Sequence, residues 1–166
     1  MNTRPTSSKL RETIFNMLIH SPKLNLNLEK IKVLDIFSGS GAFGLESLSR
    51  GCRNCIFIDN SIESIKTINK NIEILKEEKN SKVIKTDASK PIKNKLDINL
   101  CFLDPPYEIE NISEIIKNWS LSGWIDKNAI YILEKRKKNY FKLPNGFKLI
   151  DSRKVGISEV LFLKNY

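Results

Sequence analysis

A β-rich segment leads directly into a glycine turn and then into a helical pattern, and this order strongly limits the folds open to the chain. Residues 32–37 predict a short strand, and residues 39–44 read Gly39-x-Gly41-x-x-Gly44. The apolar spacing of residues 45–50 predicts a helix that ends at Gly51. Glycines allow positive φ and close approach of a ligand to the backbone, and a helix N-terminus offers N–H groups without intrahelical partners. A small ligand could therefore rest directly on the main chain of this turn.

Strands and helices alternate along most of the chain, as in folds with a parallel sheet. The predicted strands span residues 32–37, 55–59, 82–86, 97–103 and 128–134, and the predicted helices span residues 8–19, 45–50, 62–75 and 112–119. The last segment differs, because residues 146–150 and 160–163 flank a stretch without a helical pattern and predict a β-hairpin. We therefore expect an α/β fold with a Rossmann-like, doubly wound sheet and helices on both faces. A length of 166 residues predicts a single domain over residues 1–166, with an N-terminal helix within residues 1–20 and a core over residues 31–166.

Three carboxylates end or adjoin the first three predicted strands. Asp35 lies in the first strand, Asp59 ends the second, and Asp87 follows the third. Asp59 also comes 20 residues after Gly39, and an acidic residue about 20 positions beyond such a glycine turn hydrogen-bonds ribose hydroxyls in dinucleotide folds. Because the carboxyl ends of parallel strands share one edge of a sheet, one pocket could hold all three side chains.

The glycine turn fits two kinds of ligand. A nicotinamide dehydrogenase would use the glycine pattern of residues 39–44 to hold a pyrophosphate. Asp35 stands on the strand just before this turn, where its charge would repel a pyrophosphate but attract a cation. S-adenosylmethionine, with its sulfonium and ammonium groups, fits better: Asp35 and the turn would suit its methionine end, Asp59 its ribose and Asp87 its adenine. The predicted cofactor-binding residues are Asp35, Phe37, Gly39, Ser40, Gly41, Asp59, Asn60, Asp87 and Ala88.

The tetrapeptide Asp104-Pro105-Pro106-Tyr107 ends the apolar run of residues 98–103, where a buried strand should stop and a loop begin. Ligands of open parallel sheets bind beyond the carboxyl ends of the strands, and two consecutive prolines stiffen a loop by fixing φ near about −65°. A carboxylate, pre-set carbonyl groups and an aromatic ring then form a candidate pocket. The tetrapeptide alone is equally compatible with a proline turn that leaves a strand.

The charge of the chain favours a polyanionic partner. Lysine and arginine outnumber aspartate and glutamate by 28 to 19, which gives a net charge of +9, and nucleic acid is the first candidate. A lysine-rich chain can also reflect an AT-rich genome, and basic residues on a helix or in a charge run can simply be solvated. The densest basic run, residues 135–138, is followed by two aromatic residues, as on surfaces that track a nucleic-acid strand. The predicted RNA-binding residues are Arg4, Lys9, Arg11, Lys135, Arg136, Lys137 and Lys138.

The cysteine and histidine content argues against a metal centre and against a disulfide framework. Cys52 and Cys55 have the spacing of half a zinc site, but Cys101 is the only other cysteine and His20 the only histidine. Three cysteines also suggest a reducing compartment. The N-terminus has no apolar signal core, and no apolar run approaches the ~20 residues of a membrane span. We therefore expect a cytoplasmic monomer without a metal or a membrane partner.

Two motifs, in this order, resemble those of class I methyltransferases. Residues 35–41 resemble their motif I, and Asp104 to Tyr107 resembles their [D/N]-P-P-[Y/F] motif for amino-group methylation. Arg4-Pro5-Thr6, Arg11-Glu12 and residues 41–51 further resemble the RsmD family, the guanine-N2 methyltransferases of bacterial small-subunit ribosomal RNA. The resemblance extends from residue 4 to the C-terminal hairpin.

The resemblance implies the seven-stranded, mostly parallel class I methyltransferase sheet with an antiparallel last strand. It also implies S-adenosylmethionine as the methyl donor, and as acceptor the exocyclic N2 amine of a guanine in small-subunit (16S) ribosomal RNA or in the 30S particle. The implied catalytic residues are Asp104, Pro105, Pro106 and Tyr107. Family members usually begin with a basic β-hairpin, and this chain starts almost at the Arg4-Pro5-Thr6 segment that follows it, so we expect fewer RNA contacts there.

In the implied reaction, Asp104 and the Pro105 carbonyl accept the hydrogens of the guanine amine, and Tyr107 stacks on the base. Two alternatives remain. The same tetrapeptide serves DNA adenine-N6 and cytosine-N4 methyltransferases, although those generally carry a target-recognition insertion for which 166 residues leave no room. The other alternative is a non-catalytic RNA-binding or ribosome-assembly factor on a methyltransferase scaffold.

Overall fold

The computed structural model describes residues 8–166, and Arg4 of the predicted RNA-binding set lies outside them. Within these residues, the α-helices are α1 (Ser8–His20), α2 (Ala42–Ser49), α3 (Ile62–Leu75) and α4 (Ile112–Leu121). The strands are β1 (Lys32–Ile36), β2 (Asn54–Asp59), β3 (Ser81–Lys85), β4 (Ile98–Leu103), β5 (Ile125–Arg136), β6 (Phe147–Val155) and β7 (Ser158–Asn165). Every predicted strand and helix is present.

The seven strands form one sheet in the order β3-β2-β1-β4-β5-β7-β6. Strands β1 to β5 pair in parallel, and β7 runs antiparallel to both of its neighbours, β5 and β6. The strand order changes direction between β1 and β4, so the carboxyl ends of these strands open a crevice of the kind in which α/β sheets bind ligands. The expected doubly wound, mostly parallel sheet is confirmed.

Apolar side chains pack against both faces of the sheet. Because successive strand residues point to opposite faces, Val33 joins the cluster beneath α1, α2 and α3, whereas Leu34 joins the cluster beneath α4. Phe43 of α2 stacks between Phe15 and Phe102, with ring centroids 5.2 Å and 3.9 Å apart. This stack connects α1 and α2 to β4 and fixes where α2 begins at the edge of the sheet.

The C-terminal strands are longer than the sequence pattern predicts. β5 ends at Arg136 rather than at residue 134, and β6 and β7 also extend well beyond the predicted hairpin segments. The reason is long-range pairing, because β7 pairs with β5 as far as Arg136, which lies opposite Ser158. Two residues of the basic run, Lys135 and Arg136, are therefore strand residues.

Gly44 of α2 lies directly against β2. A Cβ atom at Gly44 would lie 2.6 Å from Cys55 Sγ and closer still to the Phe57 ring, and both of those side chains are buried.

We expect Gly44→Ala to lower the free energy of unfolding, because overpacking costs about 1–3 kcal/mol and the gain in helix propensity offsets only about 1 kcal/mol. Urea unfolding measures the change. The matched control is Ser49→Ala on the exposed side of α2, which should change stability by less than about 0.5 kcal/mol; equal effects of the two substitutions would contradict the packing argument.

Candidate active site

The turn between β1 and α2 is organised by the buried hydroxyl of Ser38. Its Oγ donates to the Asp35 carbonyl oxygen (2.6 Å) and accepts a hydrogen bond from the Ile58 N–H (2.9 Å). The Ser38 N–H donates to the Ile58 carbonyl oxygen (3.0 Å), so the carboxyl ends of β1 and β2 are joined. The preceding Phe37 has φ 62°, a left-handed conformation that is strained for a residue with a side chain. Tertiary contacts therefore hold the chain in a conformation that its own sequence does not favour.

The glycine turn itself is open on one side and packed on the other. Gly41 caps α2 with φ 78°, and a Cβ atom there would lie 3.3 Å from Ile68 Cγ1. Asn71 of α3 donates from Nδ2 to the Ser40 carbonyl oxygen (3.0 Å). Gly39 differs, because a Cβ atom there would meet nothing within 4 Å. Residues of α3 thus hold the turn at Ser40 and Gly41, while the backbone at Gly39 is accessible to a ligand.

The carboxylate of Asp35 is buried beneath this turn. Asp35 is 1% exposed, and its Oδ2 accepts a hydrogen bond from the Gly44 N–H (3.0 Å) at the start of α2. Burial raises the pKa of Asp35 well above its usual value, the Gly44 N–H opposes this rise, and the charges of Asp104 and Asp59 add to it. The N-terminus of α2 is therefore occupied by a carboxylate of the protein itself. This arrangement disfavours a pyrophosphate at the turn, and with it the dehydrogenase interpretation.

Asp59, at the end of β2, accepts hydrogen bonds from the backbone of two neighbouring segments, the glycine turn and the residues before α3. Its Oδ2 accepts from the Gly39 N–H (2.8 Å) and its Oδ1 from the Ser61 N–H (2.9 Å). Ser61 in turn caps α3 by accepting from the Ser64 N–H (3.3 Å). Asp59 therefore joins the glycine turn to the start of α3, a role that its spacing did not predict. The predicted cofactor contacts of Asp59, Gly39 and the exposed Asn60 stay predictions.

The loop after β3 carries the predicted adenine contacts. Asp87 is exposed, and its Oδ1 accepts hydrogen bonds from the N–H and the Oγ of Ser89 (both 2.8 Å), which lower the pKa of Asp87. The Ala88 carbonyl oxygen accepts from Nε1 of the buried Trp119 in α4 (2.8 Å). This bond fixes the backbone next to Asp87. Contact of Asp87 and Ala88 with an adenine stays a prediction.

The Asp104 loop leaves the sheet beside the glycine turn, because β4 pairs in parallel with β1. The charge of Asp104 contributes to the raised pKa of Asp35, so the two carboxylates lie near one another. Pro105 is half-buried and Pro106 is exposed at the mouth of the crevice. Asp104 and Asp59 are thus the acids whose charges act on Asp35. The sequence predicted one pocket for Asp35, Asp59 and Asp87, and the place of Asp87 in that pocket stays a prediction.

Tyr107, the last residue of the tetrapeptide, has one ring face covered. The guanidinium carbon of Arg136 lies 3.8 Å from the centroid of the Tyr107 ring. Tyr107 is nevertheless 40% exposed. A base that stacks on Tyr107 must therefore use the face that Arg136 leaves open.

The predicted RNA-binding residues in the basic run differ in exposure: Lys135 is partly buried and paired, whereas Lys137 and Lys138 are exposed. Lys135 forms an ion pair with Glu159 (2.8 Å), and its Nζ also donates to the carbonyl oxygens of Arg136 (3.2 Å) and Asn139 (2.9 Å). Its ammonium group therefore braces the turn that follows β5. Among the members of the set that lie within residues 8–166, the exposed ones are Lys9, Lys137 and Lys138.

Arg11 takes part in a contact between two helices. Its Nε pairs with Glu46 Oε2 (2.7 Å), and the other oxygen of Glu46 pairs with Arg50 (2.8 Å). The Arg50 guanidinium also lies 4.6 Å from the centroid of the Phe15 ring. Arg11 thus helps to hold α1 against α2, and its contact with RNA stays a prediction.

Glu134, near the end of β5, is a buried carboxylate that sequence analysis missed. It is 7% exposed, and its Oε1 accepts from Ser158 Oγ (3.1 Å). With Pro105, Pro106 and Tyr107 it lines a recess of about 40 Å³, far below the ~300 Å³ at which small-molecule pockets begin. The recess is therefore too small to enclose a nucleobase. The sequence did offer a signal for Glu134: it is an acidic residue at the end of the apolar residues 129–133, just as Asp59 follows the apolar residues of β2.

The cysteines show the properties of buried structural thiols. Cys52, Cys55 and Cys101 are free and buried, and burial raises the pKa of Cys52 to about 11 and also raises the pKa of the other two. Among residues 8–166, no group of three His, Cys, Asp or Glu side chains could hold a metal ion. In the same part of the chain, no helix has the length and apolar character needed to cross a membrane.

A sheet in this strand order, with an acid-lined glycine turn after β1 and an Asp-Pro-Pro-Tyr loop after β4, defines the class I methyltransferase fold. A family model described as "Conserved hypothetical protein 95" matches residues 1–164. The chain belongs to this family, the RsmD family. The resemblance seen in the sequence is thereby confirmed.

Individual relatives agree with this assignment. The Bacillus subtilis protein YlbH is 35% identical over 119 residues, a match that covers 69% of this chain and 61% of YlbH. The Haemophilus influenzae protein named Ribosomal RNA small subunit methyltransferase D is 27% identical over 166 residues, which cover 98% of this chain and 83% of that protein. The solved structure of Escherichia coli yhhF has a TM-score of 0.83 at 25% identity, and the match covers 99% of this chain and 89% of yhhF. The chain thus spans less than two thirds of YlbH and most of the other two proteins.

The raised pKa of Asp35 predicts that S-adenosylmethionine binds in a pH-dependent way. Asp35 must be ionised to attract a cationic group, and its protonated fraction grows as the pH falls from neutral toward the usual aspartate pKa of about 4. Calorimetry should therefore show an affinity that falls over this range, with protons released on binding at its acidic end. Asp35→Asn should weaken binding and reduce this dependence, whereas Glu110→Gln at an exposed acid should not. A wild-type affinity that is constant over this range would contradict the assignment.

Proposed function

We propose that this protein transfers a methyl group from S-adenosylmethionine to the exocyclic N2 amine of a guanine in small-subunit ribosomal RNA. The observation that carries the proposal is the position of the Asp104 to Tyr107 loop, next to the acid-lined turn after β1. Membership of the RsmD family supports the reaction class. Relatives named Ribosomal RNA small subunit methyltransferase D support the substrate class.

The residues on the β1 side of the crevice fit S-adenosylmethionine. Asp35 and the backbone of residues 39–41 would hold its methionine end, Asp59 would hold the ribose, and Asp87 with Ala88 would hold the adenine. The buried charge of Asp35, close to the charges of other acids, is stabilised when a cation binds nearby. When bound there, the cofactor supplies an electrophilic methyl group on a sulfonium sulfur.

The residues on the β4 side fit an amine acceptor. The N2 amine of guanine is a poor nucleophile, because its lone pair is delocalised into the ring. The site must therefore hold the nitrogen pyramidal, with the lone pair aimed at the methyl group. The Asp104 carboxylate and the Pro105 carbonyl oxygen would accept the amine hydrogens and stabilise the positive charge that develops on the nitrogen as the new C–N bond forms. The transfer would break the donor's S–CH₃ bond and leave a neutral thioether, and the nitrogen would then lose a proton to water, so no covalent enzyme intermediate is needed.

The base must also leave its stack to reach the crevice. Unstacking costs a few kcal/mol, and least for a base that is already unpaired. Stacking on the open face of Tyr107 would return ~1–3 kcal/mol. Lys137 and Lys138, exposed in the turn just after β5, would contact the phosphates on either side. An unpaired or readily opened guanine is therefore the expected target.

Transfer of a labelled methyl group tests the proposal and separates it from its alternatives. The substrates are small-subunit RNA and 30S particles that lack native methylation, with duplex DNA as the comparison. We expect label in the RNA or the particles, recovered as N2-methylguanosine when nucleosides are analysed by mass spectrometry. Label in adenine or cytosine of DNA would make the DNA alternative correct. Failure to bind S-adenosylmethionine at millimolar concentration would instead favour the non-catalytic RNA-binding factor.

Asp104→Ala should separate turnover from cofactor binding. If Asp104 acts on the amine in the transition state, its removal should lower kcat by about 100-fold or more. The affinity for S-adenosylmethionine, measured by calorimetry, should stay nearly unchanged. Glu110→Ala changes an exposed acid on the segment after the same loop and should leave both quantities unaltered. A parallel loss of turnover and cofactor affinity in Asp104→Ala would refute the role assigned to Asp104.

A further inference from the structure

The contact between Arg136 and Tyr107 places a cation on the residue that is expected to receive the base. The guanidinium carbon lies 3.8 Å from the centroid of the Tyr107 ring, well within the ~6 Å range of cation–π contacts. Arg136 Nε is buried, and within residues 8–166 it has no hydrogen-bond partner. The side chain is therefore packed on the ring rather than extended into solvent, where a residue that only binds phosphates would lie.

The backbone that carries Arg136 is fixed by its neighbours. Arg136 is the last residue of β5 and lies opposite Ser158 in β7. The Lys135 ammonium group donates to the Arg136 carbonyl oxygen (3.2 Å) and is itself held by Glu159 (2.8 Å). The Asn139 N–H donates to the same Arg136 carbonyl oxygen (3.0 Å). Arg136 thus projects from a braced strand end, whereas Tyr107 stands on a loop beyond the end of β4.

We propose that Arg136 is a positioning residue for the acceptor base: it holds the Tyr107 ring in place and leaves only the opposite face for stacking. The inference rests on the proposed function and specifies how its acceptor side is organised. Lys135 fixes the backbone of Arg136, Arg136 fixes the ring of Tyr107, and the ring fixes the plane of the base. Asp104, at the other end of the tetrapeptide, can then meet the amine in a defined orientation.

The chemistry of the pair also favours a neutral, electron-rich base. A cation on one face of an aromatic ring draws electron density toward it and makes the other face less negative. Stacking of a neutral purine on that face is thereby strengthened, and approach of a second cation is opposed. Arginine suits this position better than lysine, because a planar guanidinium stacks on a ring whereas an ammonium group is a compact, strongly hydrated charge.

A double-mutant cycle distinguishes this role from a simple phosphate contact. We expect Arg136→Ala to lower kcat for methyl transfer to RNA by about fivefold, the size of one partly buried cation–π contact. In a Tyr107→Ala background, the same substitution should change kcat by less than about twofold, because the two residues act through one contact. Lys137→Ala is the matched control on the neighbouring exposed base. It should raise KM for RNA, more so at low salt, by the same factor in both backgrounds.

Single-turnover methylation of RNA, with protein stability followed by thermal unfolding, measures these effects. Arg136→Lys keeps the charge and is less disruptive to folding than Arg136→Ala. We expect its kcat to lie between those of the wild-type protein and Arg136→Ala. Equal losses from Arg136→Ala with and without Tyr107 would overturn the proposal, as would complete rescue by lysine. These outcomes all require an active wild-type protein. A wild-type protein that methylates no RNA refutes the proposed function itself, so the two failures are distinguishable.

Discussion

The arrangement of the crevice depends on the buried charge of Asp35. A carboxylate that is 1% exposed is costly unless hydrogen bonds and nearby positive potential compensate for its lost hydration. The Gly44 N–H and the positive end of α2 offset part of this cost, and burial still raises the pKa of Asp35 well above its usual value. The bond requires α2 to begin just after its cap Gly41 and to lie close to β1, a position that the stacked rings of Phe15, Phe43 and Phe102 secure. The hydrogen bond between Gly44 and Asp35 therefore fixes both where α2 starts and where the buried carboxylate lies beneath the crevice.

The strands, the glycine turn and the two motifs could be predicted from sequence because their signals are local. Strands of five or six residues, most of them apolar, mark β1, β2 and β4 in the sequence, and the Ser61 cap marks the start of α3. The length of β5 could not be predicted in this way. Its last residues are Lys135 and Arg136, which are strand residues only because β7, more than 20 positions later in the chain, pairs with them. Local composition indicated a basic surface run at the same place.

Motif spacing predicted which residues meet at the crevice, but not how each is used. Asp59 was expected to face a ribose, and that contact stays a prediction; the structure places Asp59 at the end of β2. Its two oxygens also hold the N–H groups of Gly39 and Ser61, which depends on a turn geometry that spacing does not encode. In the same way, the sequence shows the charge of Lys135 but not that its three donors are directed to Glu159 and to two carbonyl oxygens. Directional contacts of this kind arise only after the strands are assembled.

The crevice separates charge along a single edge of the sheet, and this separation suits a reaction between a cationic donor and a polyanionic acceptor. Burial raises the pKa of Asp35, and the nearby charges of Asp104 and Asp59 add to this rise, so the field at the acidic end of the crevice attracts a cation. At the end of β5, Arg136 and the exposed Lys137 present positive charge, and a net charge of +9 favours the approach of a polyanion. If the acidic and the basic residues faced the same ligand, one set would attract it and the other would repel it. The tetrapeptide lies between them: its first residue belongs to the acidic side, and its last residue stacks on Arg136.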